Sequence, residues 1–201
     1  MILPLSYYLS DDVVAVARSL LGKVIVTSFD GIITSAMITE TEAYAGAADK
    51  ASHAFGDRRT ARTEVMYAEG GVAYVYLCYG IHHLFNVVTN VAGIPHAVLI
   101  RAGEPLEGID QMLLRRKKRS LTPALTSGPG TLSAALGIRT IHSGIALNSD
   151  SISIHDPGTT IAPSQIIAAT RVGVAYAGTD ALLPYRFYIA GSRFVSKAKG
   201  L

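Results

Sequence analysis

The sequence predicts a single compact α+β domain spanning residues 1–201, and three observations predict it. Hydrophobic residues make up 49% of the chain and charged residues 16%, which excludes a disordered polypeptide and calls for a buried core. At 201 residues the chain is long enough to build that core without staples. Its apolar segments are punctuated by tight-turn signals rather than by regular crossover helices, which favours α+β over a doubly wound parallel sheet.

Taken in order, Ser10 followed by Asp11 and Asp12 reads as an N-cap with acids in the first turn, opening a helix through VVAVARSLL that Gly22 ends. KVIVTS and IITSAMITETEAY read as two strands joined at Asp30-Gly31, a hairpin signal. This places Glu40 and Glu42 at the end of a strand. After an irregular polar stretch from Ala45 to Gly71, VAYVYLCYGIHHLFNVVTN reads as strand, turn near Gly80 and strand, with Tyr79 at the tip. AVLIRA is a buried strand, and LEGIDQMLLRRKKR has the spacing of an amphipathic helix with cations at its C-terminal end and Pro105 in its first turn. TLSAALGI reads as a short helix, and SISI and QIIAATRVGV as short strands.

The single Cys78 cannot form an internal disulfide, and no Cys/His cluster has zinc spacing, so a reducing compartment and no structural metal are expected. The N-terminus MILPLSYYLSDD lacks a basic region followed by a long apolar one, and no stretch approaches the ~20 apolar residues that span a bilayer. No export signal or anchor is expected. A net charge of +3 and a pI near 9.0 suit a polyanionic partner without demanding one. The cations bunch at Arg58, Arg59 and Arg62, and at Arg115 to Arg119.

On an extended strand Glu40 and Glu42 face the same way, ~7 Å apart at ~3.3 Å rise per residue. Either suits a glycosidase-like reaction, in which a carboxylate stabilises oxocarbenium character and takes a proton from attacking water. The alternative is a solvated strand edge. Tyr44, Tyr74, Tyr76 and Tyr79 offer flat π-surfaces on which bases stack, worth ~1–3 kcal/mol each, or form ordinary sheet surface. His53 is a surface residue or a further stacking ring. Arg101 ends an apolar strand, where a carboxylate partner is needed if it is buried. The GDRRTAR loop and the RRKKR run either neutralise phosphates or form solvated faces.

These features fall in a specific order: ETEAY, ASH, RRTAR, YVYLCYG, FNVV, VLIRAGEPLEG, SGPGTL and RVGVAYAG. The series resembles the alkyladenine (3-methyladenine) DNA glycosylase family from about Leu20 to Ser196. The resemblance implies a mainly antiparallel curved sheet with surrounding helices and a protruding β-hairpin that enters DNA. It implies a monofunctional glycosylase that flips alkylated or deaminated purines from duplex DNA, leaving an abasic site. Glu42 is then the general base, Arg101 orients the water, and a backbone carbonyl in RVGV, that of Val174, is a third contact.

By the same resemblance Tyr44 and His53 clamp the base with Tyr76 along another edge. Asn86 excludes the two-amino group of guanine, and Tyr79 wedges into the minor groove. Arg58, Arg59 and Arg62 contact the DNA backbone. No lysine stands where a Schiff-base nucleophile would, so water is the expected attacking group. The implied partner is double-stranded DNA with damaged purines, bound by a monomer without cofactor, metal or membrane, in the cytoplasm and at the nucleoid if the chain is bacterial. Thr131 in SGPGTL stands where the family commonly has lysine, and the segment before Ser127 is short. Two other function classes fit parts of this pattern. A silent nucleic-acid binder gains nothing from Glu42 and Arg101, and a nucleoside hydrolase has no use for Tyr79 or the basic loops.

Overall fold

Asp30 and Gly31 both take positive φ, 54° and 74°, the conformation a type I′ hairpin requires. Strand β1 (Val24–Phe29) therefore folds back on β2 (Ile32–Tyr44), with Val24 opposite Met37 and Phe29 opposite Ile32. The computed structural model describes residues 1–198 and 200. The sheet continues through β3 (Ala73–Cys78), β4 (His82–Thr89), β5 (His96–Glu107), β6 (Ile152–His155), β7 (Ile166–Ala169) and β8 (Arg186–Ile189). Its main path runs β3-β4-β5-β2-β1-β6, with β8 pairing both β2 and β7, and its pairings are antiparallel.

Strand β2 positions everything else. Its first half pairs with β1 as far as Met37, whereas Glu40, Thr41 and Glu42 pair with Tyr188, Phe187 and Arg186 of β8, and β5 flanks both halves. Register shifts on the β5 side near Ser35 and between Ile38 and Thr41 mark the change of partner. Irregularities of this kind bend a strand and increase its twist, and the sheet curls accordingly. Helices α1 (Val13–Ser19), α2 (Ile109–Arg116) and α3 (Pro129–Leu136) contribute to the core. Leu20, Ile25, Ile38, Phe85, Ile100, Met112, Leu136 and Phe187 are buried there.

Several local expectations need correction. The cap of α1 is Asp12, whose carboxylate accepts the Ala15 N–H at 2.9 Å, while Ser10 Oγ accepts the Asp12 N–H. Asp12 directly precedes the first helical residue, Val13, and so takes the capping position. Pro105 lies in β5, not in the helix, which starts after Gly108 at φ 70°. At Pro105 β5 is paired with β2 beside a register shift and no longer with β4, the edge or bulge position at which a strand tolerates proline. Strand β7 stops at Ala169, and RVGV leaves the sheet. Of the RRKKR run, Arg115 and Arg116 donate to the carbonyls of Ala135 and Leu125, while Lys117, Lys118 and Arg119 are exposed. No helix among the described residues is long and apolar enough to cross a membrane.

Candidate active site

Glu40 and Glu42 are both fully buried, which overturns the solvated-edge reading, because β2 is paired on both sides at this point. Their environments differ. Glu40 Oε1 accepts from Arg101 Nε at 2.9 Å, Arg186 Nε at 2.8 Å and Ser196 Oγ at 2.8 Å, and Oε2 accepts the Ser196 N–H at 2.6 Å. Protein donors thus engage both of its oxygens. Glu42 Oε1 accepts the Val172 N–H at 2.7 Å, and Oε2 accepts the Tyr44 hydroxyl at 2.8 Å with Arg101 Nη1 at 3.2 Å. Arg101 therefore bridges the two carboxylates. Burial opposes its charge, but Glu42 and Glu40 outweigh that and raise its pKa. Burial, then Glu42, holds the Tyr44 phenol well above its ordinary value, so Tyr44 stays protonated and donates.

A cavity of about 620 Å³ opens over this group, lined by Tyr44, Arg101 and Val172, the three donors to Glu42. The Glu42 carboxylate stands immediately behind that wall. His53, Tyr74, Tyr76, Asn86 and Val174 line the same space. The His53 ring meets Tyr76 edge-on, centroids 4.6 Å apart at 81°. Its Nδ1 lies 2.8 Å from Tyr74 Oη and its Nε2 3.0 Å from Arg62 Nη2. Arg62 Nη2 also lies 3.4 Å from Nδ1, so the guanidinium spans both ring nitrogens. The Asn86 amide donates to the carbonyls of Tyr74 at 3.0 Å and Leu84 at 3.3 Å, which fixes its rotamer in the wall.

Burial first, then Arg62 and Arg58, lowers the pKa of His53 to about 4. An unfolded histidine titrates near ~6.5. Between these values the unfolded chain holds a proton that the folded chain lacks, so stability falls as pH drops from about 6.5 towards about 4, and the contribution is complete above 6.5. Replacing His53 by Gln should flatten the dependence of melting temperature on pH across that window. Equal slopes for parent and variant would contradict a neutral, half-buried His53.

At the mouth, the β3–β4 hairpin turns at Tyr79 (φ 50°) and Gly80 (φ 73°), closed by the Ile81 N–H to the Cys78 carbonyl at 3.1 Å. Tyr79 is 91% exposed. Its positive φ is uncommon for a bulky side chain. Next to its turn the hairpin packs on the start of α3, where a Cβ at Gly130 would lie 2.9 Å from the His82 ring, so that position has no room for a side chain. The three loop arginines separate. Arg59 pairs with Glu64 through Nε at 2.8 Å and Nη2 at 2.7 Å, and Arg58 lines an adjoining cleft. Arg62 lies 4.9 Å over the Tyr76 ring, in the cavity wall.

The model of the family described as methylpurine-DNA glycosylase matches residues 7–193. The chain belongs to the methylpurine-DNA glycosylase family. It is 46% identical over 202 residues to a Bacillus thuringiensis (strain Al Hakam) protein named "Putative 3-methyladenine DNA glycosylase", covering 96% of this chain and 98% of that protein. A protein of the same name from Bacillus cereus (strain G9842) is 47% identical with the same coverage.

Within this methylpurine-DNA glycosylase fold, some groups at the site had no sequence signal. The backbone group on Glu42 is the Val172 N–H, while the Val174 carbonyl accepts the Ala177 N–H at 2.9 Å. Arg186 and Ser196 hold Glu40 from more than 140 residues away. Arg171 is buried against Asp49. Thr131 turns its hydroxyl back to the Gly128 carbonyl at 2.8 Å.

Proposed function

We propose that this chain is a monofunctional DNA glycosylase that extrudes alkylated or deaminated purines from duplex DNA and hydrolyses the N-glycosidic bond. The observation that carries this reading is Glu42, buried behind a ring-lined cavity and held by three donors that line it. A flipped purine sits between Tyr44 and His53, with Tyr76 along a third edge. Glu42 accepts a proton from water admitted at the floor, the water oxygen bonds to C1′, and the C1′–N bond electrons leave with the purine. Arg101 orients that water, and the Val174 carbonyl is its third contact. The product is an intact abasic site. Among the described residues no lysine lines the cavity, which supports water rather than an amine as nucleophile.

Selectivity follows from charge and stacking. Alkylation at a ring nitrogen makes the purine cationic, which weakens its bond to the sugar and strengthens its attraction to π-faces. Damaged or mispaired bases such as hypoxanthine or ethenoadenine also cost less to extrude. Asn86 collides with the two-amino group of normal guanine. Arg58, Arg59 and Arg62 neutralise backbone phosphates, so affinity falls as salt rises.

The test is incubation of purified protein with duplexes carrying ethenoadenine or hypoxanthine, and with alkylated DNA. Free purine and alkali-labile abasic sites are expected, with free nucleosides left intact. Hydrolysis of nucleosides as readily as duplexes would replace this reading with that of a nucleoside hydrolase. Tyr79 fills the gap left by the extruded nucleotide. Because base–aromatic stacking is worth ~1–3 kcal/mol, Tyr79→Ala should reduce the extruded fraction of ethenoadenine, read by its fluorescence, about tenfold. An unchanged fraction would remove the wedge role.

A further inference from the structure

Arg171 does not line the cavity, yet it is buried and bonded on several sides. Its Nη1 and Nη2 pair with the two oxygens of Asp49. Nη1 also donates to the Ala43 carbonyl at 2.9 Å and Nη2 to the Asp180 carbonyl at 3.0 Å. The guanidinium carbon lies 4.9 Å over the Tyr44 ring. Asp49 in turn accepts the N–H groups of Ala45 at 3.0 Å and Ala51 at 2.9 Å, ordering the turn that leads to His53.

A buried ion pair seldom raises stability over a well-packed apolar pair, since removing two charges from water costs about what their attraction returns. What this pair provides is direction. Arg171 is joined by one peptide bond to Val172, whose N–H meets Glu42 Oε1 at 2.7 Å. Its planar face also bounds Tyr44, whose hydroxyl meets Glu42 Oε2 at 2.8 Å. Two of the three donors on Glu42 are therefore set by one guanidinium, and Asp49 sets the guanidinium.

We propose that the Arg171–Asp49 pair is a positioning device for the catalytic carboxylate, holding the Val172 N–H and the Tyr44 hydroxyl on Glu42. This rests on the reading of Glu42 as the base. Arg171 and Asp49 touch neither base nor sugar. Their removal slows chemistry without weakening capture of the lesion.

The experiment compares the parent, Arg171→Lys, Asp49→Asn and Glu42→Gln as full chains on an ethenoadenine duplex. Thermal unfolding, affinity, the fluorescence of the extruded base and the single-turnover excision rate are recorded for each. Arg171→Lys keeps a charge facing Asp49 but loses the flat fork, and Asp49→Asn keeps the shape but loses the charge. Excision is expected to slow about a hundredfold in both, the scale on which a misplacement of ~1 Å slows a positioned reaction. Affinity and extruded fraction should stay within about threefold of the parent, since the Tyr44 and His53 rings that stack on the base are both kept, and a misplacement of ~1 Å affects the reacting geometry far more than stacking.

A folded variant excising at the parent rate overturns the proposal, as does a proportional loss of binding and rate. If Arg171→Lys lacks a cooperative unfolding transition, Asp49→Asn decides. If neither variant shows one, the pair is structural and the proposal fails. Glu42→Gln separates the levels: parent-like excision there sinks the assignment of the base itself, whereas a dead Glu42→Gln beside a parent-like Arg171→Lys sinks only the positioning role.

Discussion

Glu42→Gln is expected to bind a lesion-bearing duplex like the parent and to excise the base roughly 10²–10⁴-fold more slowly, the range attributed to a positioned general base. Glutamine keeps the volume of the side chain and one acceptor oxygen but has no site for the proton of the attacking water. The Val172 N–H, the Tyr44 hydroxyl and Arg101 all donate to the carboxylate, so an amide nitrogen must face one of them. Tyr44 is the group able to turn and accept, which leaves Arg101 short of one partner and costs on the order of 1–3 kcal/mol of stability. Single-turnover kinetics with saturating enzyme isolate the chemical step. A variant that excises as fast as the parent would assign the base elsewhere.

Arg101→Leu should produce the largest loss of stability. Arg101 is buried between two buried carboxylates, 2.9 Å from Glu40 and 3.2 Å from Glu42. Glu40 retains Arg186 and Ser196, but Glu42 would keep only uncharged donors. Breaking a buried ion pair by removing one partner costs about 3–5 kcal/mol, which for a domain of this size lowers the melting temperature by roughly 10 °C. Restoring a cation with Arg101→Lys should recover part of that loss, although a point charge does not reproduce the fork that spans both carboxylates. A melting temperature for Arg101→Leu within a degree or two of the parent would show that the carboxylates do not depend on this cation.

The parts of this molecule that could be read in advance are those made by neighbours in sequence. Asp30-Gly31 turns where both residues tolerate positive φ, and Gly80 supports the second turn although Tyr79 beside it is strained into positive φ; the alternation on either side delivers β1 through β4. Contacts that bridge distant segments left no such trace. The exchange of β1 for β8 along β2 depends on a four-residue strand too short to show periodicity, and it is that exchange which buries Glu40 and Glu42.

Cations were equally hard to sort by sequence alone. Arg62 belongs to the same run as Arg58 and Arg59, yet only the packing of His53 and Tyr76 reveals that it lies in the cavity wall. Arg171 and Asp49 are separated by 122 positions. The order of the motifs along the chain carries the resemblance, whereas the Val172 N–H on Glu42 is visible only in the fold.

The most direct test is a crystal structure of the Glu42→Gln protein bound to a duplex carrying ethenoadenine. The damaged purine should lie outside the helix between Tyr44 and His53, with its C1′ facing residue 42 across a single water and the Tyr79 ring in the vacated space. A purine still stacked in the duplex, or a sugar turned so that residue 42 lies beyond the reach of one bridging water, would contradict the account.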